Sequence, residues 1–150
     1  MTVNLKNLFN FNNKHSKMKD FQDLDHLDGV SVSAITADLY GNGRDDIALF
    51  YFNDGAKYAS LYTKSKIVSE NIKYNMQLKN KIVKALFINT KNANAFTGKQ
   101  GYESLIELSK DLSKELTLRA SRSDVGTNDV IKSGQILFAS TGVIGETFPV

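Results

Sequence analysis

Ile82 to Asn89 form a compact apolar run bounded by polar residues, the pattern of a strand covered on both faces. Such a strand belongs inside a sheet, so other strands must flank it and other layers must cover it. Beyond Gly101, Leu105, Leu108, Leu112 and Leu116 recur at three- and four-residue spacing, while Glu107, Lys110, Asp111 and Lys114 fill the opposite face. That spacing predicts an amphipathic helix with one face free to cover the buried strand.

Upstream, Val30 to Ala37 alternates Val30, Val32 and Ala34 against Ser31, Ser33 and Ile35, which predicts a strand with two unlike faces. Gly41-Asn42-Gly43 tolerates positive φ and supplies a turn, and Asp46 to Phe52 follows as a second strand rich in branched and aromatic side chains. Asn53-Asp54-Gly55 predicts a further turn leading to a third antiparallel strand over Ala56 to Thr63, which makes the first half a meander. Ser69 to Lys79 is expected to be a short helix, with Ile72 and Met76 four apart, Ser69 placed to cap and Glu70 in the first turn. Ser121 to Ser133 is polar and turn-rich, and Gln135 to Ser140 is another short apolar strand ending at Thr141-Gly142. The pattern predicts a mixed α/β domain with an antiparallel-rich sheet and packed helices.

The 150 residues, 41% of them hydrophobic, suffice for one ordinary domain with a core that needs no staples. No cysteine is present, which removes disulfides, thiol nucleophiles and thiolate metal sites. No apolar stretch approaches the roughly 20 residues of a membrane-spanning helix. The net charge of +3 comes from scattered lysines rather than a basic run with interleaved aromatics, so neither nucleic acid nor membrane is an expected partner. Before Asp20 there is no acidic residue, but also no arginine, no continuous apolar region and no small-residue cleavage site. Residues 1–28 are therefore expected to be an N-terminal arm, residues 29–150 the domain, and the location cytoplasmic.

Three segments can carry chemistry. Asp38 to Asp46 resembles calcium loops in which oxygen ligands alternate around a glycine turn; Asp38, Asn42 and Asp46 would be the ligands, although Tyr40 stands where a third carboxylate or amide belongs. A polar hairpin turn explains the same residues. Asn89 to Gly101 joins the buried strand to the long helix, and the carboxamides of Asn89, Asn92 and Asn94 suit either substrate binding or bonds to the local backbone. In Ser140 to Glu146, a hydroxyl beside an unhindered glycine N–H can aim two donors at one developing oxyanion; a strand-ending turn is the alternative.

Together and in this order, the last two segments resemble motifs of the ornithine acetyltransferase family, the bifunctional arginine-biosynthesis enzymes also called glutamate N-acetyltransferases. Asn92-Ala93-Asn94-Ala95, Thr97-Gly98, Ser140 to Glu146 and Pro149 match the family pattern. Gly43 to Leu49 is similar to its Gly-Arg-x-Asp-Leu-Ala-Leu hairpin, and Leu61 to Ser65 to its Phe-Thr-x-Asn segment. The resemblance runs from about Gly29 to Val150 and accounts for the calcium-like loop as a hairpin turn. Lys91 stands where the family has glycine, Phe96 where a small residue is common, and the arm before Gly29 does not match.

The resemblance implies the N-terminal, α-chain-like part of the fold this family shares with self-processing aminopeptidases. It implies acetyl transfer from N-acetylornithine, or from acetyl-CoA as substrate, to glutamate, with no metal or redox cofactor. The Thr141 hydroxyl and Gly142 N–H would form the oxyanion hole, and Asn92 and Asn94 would contact substrate. The family's nucleophile is a threonine released by self-cleavage beyond the Ser-Thr-Gly motif, so it is expected on a C-terminal, β-chain-like segment, in an enzyme that is oligomeric when complete. The isolated chain is then expected to be inactive and to expose an apolar sheet face or unpaired edges. Two alternatives remain: a self-processing aminopeptidase of related fold, which would also need an N-terminal nucleophile, and a non-catalytic module, either a degenerate relative or a calcium-binding domain. Thr2, exposed by loss of Met1, is formally such a nucleophile, but the family's follows the oxyanion motif and initiator processing explains its exposure.

Overall fold

The computed structural model describes residues 27–122 and 130–149. Thr2, all but the last two residues of the expected arm, and most of the turn-rich segment after Arg122 lie outside the described residues.

Strands β1 (Val30–Ile35) and β2 (Ile47–Lys57) form the expected antiparallel hairpin, paired from Val30 with Phe52 to Ile35 with Ile47. Strand β3 (Ile82–Asn89) lies between β2, which it meets antiparallel, and β4 (Ile136–Ser140), which it meets parallel, so the sheet order is β1-β2-β3-β4. A parallel pair needs a long crossover. Helix α2 (Gly98–Arg122) provides it between β3 and β4, and helix α1 (Glu70–Gln77) precedes β3.

The period-two alternation of the strands divides the sheet into two unlike faces. Across the register, Leu49, Phe87 and Phe138 form one row and Ile35, Ile47 and Asn89 another, and all are buried. Leu105, Leu108, Leu112 and Leu116 of α2 join this cluster and none is more than 3% exposed. Tyr74, Phe138, Phe87 and Phe148 run through it as a chain of edge-on rings with centroids 5.1 to 5.9 Å apart. Edge-on geometry adds about 0.5–1.5 kcal/mol per pair to the gain from burial.

The other face is less covered than the Ile82–Asn89 pattern predicts. Val83, Ala85 and Phe87 are buried against the helices, but Leu86 and Ile88 on the reverse face are half-buried, as are Phe50, Leu137 and Ala139. Val32 is 47% exposed. The serine face of β1, with Ser33 buried, is the one that turns inward, and the valine face turns away from the core.

Two further expectations are corrected. Ala56 to Thr63 forms no third strand: β2 continues through Asn53-Asp54-Gly55 as a bulge, in which the register jumps from Tyr51 opposite Ala85 to Ala56 opposite Val83. Turn residues serve a bulge as well as a turn. Gly55, at φ 78°, fits because a Cβ there would sit 2.6 Å from the Ile82 side chain, and Lys84 Nζ bonds to Asn53 O inside the bulge at 2.9 Å. Helix α1 forms where expected, yet its buried residues are Glu70, Asn71 and Tyr74, while Met76 is 57% exposed. Ser69 occupies the N-cap position without making a side-chain cap bond. Among the described residues, no helix is long and apolar enough to cross a membrane.

Ser33 Oγ is buried with no partner among the described residues. Leaving a hydroxyl unsatisfied costs about 1–3 kcal/mol. Ser33→Ala should therefore raise the melting temperature by about 2–4 °C; a lower value in a thermal melt would mean that the hydroxyl is bonded in solution.

Candidate active site

Strands β3 and β4 end level, with Asn89 opposite Ser140. Both segments then leave the sheet but stay hydrogen-bonded to each other. Thr141 N–H donates to Asn89 O (3.1 Å), Val143 N–H to Lys91 O, Ala93 N–H to Val143 O (3.0 Å) and Gly145 N–H to Ala95 O (2.8 Å). Asn92 and Val143 pair in parallel. The two motif segments, far apart in sequence, are thus one continuous zipper at the end of the sheet.

Side chains lock the zipper. Ser140 Oγ donates to Asn89 Oδ1 at 2.6 Å, and Asn89 Nδ2 donates to the Asn92 carbonyl at 3.0 Å. Asn92, 3% exposed, donates from Nδ2 to Thr147 O (3.3 Å) and Glu146 Oε2 (3.4 Å). Asn94, 1% exposed, donates to Gly101 O at 3.2 Å and accepts from Thr97 Oγ1 at 2.7 Å. Its carbonyl accepts the Glu70 N–H at 2.9 Å, tying the loop to the start of α1. Both carboxamides are buried and hold backbone through Nδ2, while Asn92 Oδ1 has no partner among the described residues.

Thr141 and Gly142 are exposed at the outer side of the zipper. The Thr141 hydroxyl and the Gly142 N–H have no partner among the described residues. Gly142 has φ 135°, and a Cβ there would overlap the Lys91 carbonyl and Cα. Only glycine lets the two segments approach this closely. On the facing segment Lys91 (φ 76°), Asn94 (φ 48°) and Phe96 (φ 59°) are non-glycine residues in the left-handed region.

The three residues weighed as calcium ligands are engaged otherwise. Asp46, 2% exposed, accepts the N–H of Ala37 and of Leu39, each at 2.6 Å. Asp38 Oδ1 accepts Gly43 N–H at 3.0 Å, and Asn42 Oδ1 accepts Arg44 N–H at 3.2 Å. Each oxygen ties the hairpin to its own backbone.

Beside β4 lies a cleft of about 370 Å³ lined by Tyr58, Tyr62, Asn71, Asn75, Leu137 and Ser140, among others, with no charged side chain in its wall. Burial, and less so the neighbouring Tyr62, raise the pKa of the Tyr58 phenol, which keeps it a neutral donor. Sequence reasoning missed Asn75, whose carboxamide bonds to both backbone groups of Phe138 (2.8 and 3.1 Å). It belongs to no motif, and nothing in its neighbours marks it.

The sequence profile of the ArgJ family matches residues 31–150. The chain belongs to the ArgJ family. It is 33% identical over 129 residues to the arginine biosynthesis bifunctional protein ArgJ of Agrobacterium fabrum, covering 85% of this chain and 28% of that protein. It is 31% identical over 139 residues to the protein of the same name from Gloeobacter violaceus, covering 89% and 31%. The chain therefore spans less than a third of the length of these ArgJ relatives. Among solved structures it is similar to ArgJ of Bacillus halodurans, with TM-score 0.64 and 25% identity over 81% of this chain and 58% of that one. It shares the fold of the ornithine acetyltransferase of Mycobacterium tuberculosis complexed with ornithine, with TM-score 0.68 and 23% identity over 81% and 60%.

Two substitutions test the zipper in opposite directions. A left-handed backbone costs a side-chain-bearing residue about 1–2 kcal/mol, and the 3.7 Å Lys91–Glu146 pair is half exposed and adds little. Lys91→Gly should therefore stabilise the chain by about 1 kcal/mol, whereas loss of stability in urea would show that the side chain matters more than its strain. Gly142→Ala should destabilise by about 2 kcal/mol or more; an unchanged urea midpoint would mean that the segments separate freely.

Proposed function

We propose that this chain supplies the oxyanion-hole half of an acetyltransferase of arginine biosynthesis, moving acetyl from N-acetylornithine, or from acetyl-CoA, to glutamate. The observation that carries the proposal is the zipper, which presents two unpartnered donors, the Thr141 hydroxyl and the Gly142 N–H, side by side on a backbone that cannot drift apart. Membership of the ArgJ family supports the substrate class. The domain comprises residues 29–150 and its place is the cytoplasm, where amino-acid precursors are made.

In this reaction a threonine hydroxyl on a C-terminal segment gives its proton to the threonine's own α-amine and adds to the acetyl carbonyl. The new C–O bond places negative charge on the carbonyl oxygen, where the two donors receive it. Collapse expels the ornithine amine, which takes a proton from the threonine's own ammonium group, and leaves an acetyl ester. The neutral glutamate amine then adds to the ester, the same donors act again, and the threonine leaves as its hydroxyl, the proton passing from the glutamate nitrogen through the α-amine to the threonine oxygen. Splitting the transfer lowers each barrier. Neither step moves electrons between centres, so no redox cofactor is needed. The cleft beside Ser140 lacks charge and suits the acetyl end of the donor rather than its amino-acid end. Asn92 and Asn94 shape the loop beneath the donors, and Asn92 Oδ1, buried without a partner among the described residues, is the carboxamide oxygen left free to meet substrate.

The half-buried sheet face bears on the partner. A C-terminal segment that carries the threonine and packs on Phe50, Leu86 and Leu137 would bury this face and bring its nucleophile to the zipper end of the sheet.

The test uses the chain co-expressed with the nucleophile-bearing segment, with acetyl transfer from N-acetylornithine to glutamate as the readout. Removing one oxyanion donor costs about 100- to 1,000-fold in kcat. Thr141→Ala should lose kcat on that scale with little change in KM. Full kcat in that variant would remove Thr141 from the reaction.

A further inference from the structure

Strand β4 is at the edge of the sheet, bonded to β3 on one side only. Along a strand, alternate residues send their N–H and C=O to opposite edges. Phe138 sends both away from β3, and in a free edge they would be open to any passing strand. Both are occupied instead by one side chain. Asn75 Nδ2 donates to Phe138 O at 2.8 Å, and Phe138 N–H donates to Asn75 Oδ1 at 3.1 Å. The carboxamide reproduces the donor and acceptor that a fifth strand would offer at this residue.

Neighbouring groups hold the start and end of the same strand. Tyr74 Oη donates to Ser133 O at 2.9 Å in the turn just before β4, and Asn80 Nδ2 reaches Gly134 O at 3.4 Å. At the far end Ser140 Oγ bonds to Asn89 at 2.6 Å. Asn75 is the member of this set that grips the middle of β4, three residues before Thr141. Its own position is fixed because Asn71 and Tyr74, on the same side of α1, are buried. This explains why α1 turns a polar rather than an apolar face to the sheet.

We propose that Asn75 is a positioning residue: its carboxamide fixes the height of β4 against β3 and so the aim of the Thr141 and Gly142 donors. This rests on the oxyanion reading, but the clamp itself can be tested without it.

The first arm uses the chain alone. In Asn75→Leu, close in shape but unable to bond, the Phe138 amide should lose protection from hydrogen exchange by about tenfold or more, while Leu49 and Phe87 amides keep theirs. Asn75→Asp covers the case in which the leucine variant does not fold. A neutral carboxylic acid can donate to Phe138 O and accept its N–H, whereas a carboxylate repels that oxygen. The folded pKa of this aspartate is therefore raised above its unfolded value of about 3.9. Its clamp is present below that value and lost as pH rises through the folded pKa. The melting deficit of Asn75→Asp against the parent at the same pH should shrink on acidification. Unchanged Phe138 exchange, or a deficit independent of pH, overturns the clamp.

The second arm uses the chain with its nucleophile-bearing segment at neutral pH. Asn75→Asp should lower kcat about tenfold with KM unchanged, and adding it to Thr141→Ala should lower kcat by much less than the product of the two single effects. Multiplying effects overturn action through Thr141. If Thr141→Ala leaves kcat intact, the oxyanion reading fails and the positioning role with it, while the exchange and pH results still decide the clamp.

Discussion

The pairing of Asn89 with Ser140, and its continuation past the sheet, is the constraint on which the rest of this molecule depends. Parallel strands need a long crossover, and α2 fulfils that role while its leucines cover the inner face. The same crossover makes Asn89 and Ser140 neighbours although they lie at opposite ends of it. Once they are level, the segments beyond must either separate and solvate their backbone or bond to each other. They bond, through Thr141, Val143, Ala93 and Gly145 in turn. Thr141, Val143 and Gly145 turn their N–H groups to the facing segment, so the Gly142 N–H between them faces outward beside the exposed Thr141 side chain.

The sheet is finished on one face and unfinished on the other. The inner face has aromatic rings stacked edge-on and leucines at near-zero exposure. The outer face presents Val32, Phe50, Leu86, Ile88 and Leu137, which a chain folding alone has no reason to place on its surface. On the β4 edge, the Asn75 side chain takes both outward backbone groups of Phe138.

Much of this was legible in the sequence where local pattern and tertiary role agree. The β1–β2 hairpin, the central β3, the leucine-spaced α2 and the short β4 follow from periodicity, although β1 buries its serine face rather than the valine face its pattern marks. Legibility failed where a polar residue does the packing. Asn53-Asp54-Gly55 reads as a turn but is a bulge, since the same positive-φ glycine suits both and only the β3 register decides. Ile72 and Met76 mark a helix but not its buried face, which Asn71 and Tyr74 occupy, Tyr74 through a bond to the distant Ser133 carbonyl that no spacing encodes. The motif segments were visible as motifs. Their contact was not, because hydrogen bonds between loops far apart in sequence leave no periodic trace.

The asparagines of the zipper are best understood through its strain. Lys91, Asn94 and Phe96 each adopt a left-handed backbone at about 1–2 kcal/mol apiece. Four inter-segment backbone bonds at a net of about 1 kcal/mol each only balance that. Something further must hold the loop, and the carboxamides of Asn89, Asn92 and Asn94, all buried and all bonded to backbone or to a neighbouring side chain, are what the structure offers. Amide side chains suit this because each supplies a donor and an acceptor of backbone type. Asn92 Oδ1 is the exception: it is buried without a partner among the described residues and is free to accept a further bond while the Nδ2 bonds hold the loop. The run of asparagines is thus the frame of the zipper, and it leaves the Thr141 hydroxyl, the Gly142 N–H and Asn92 Oδ1 without partners among the described residues.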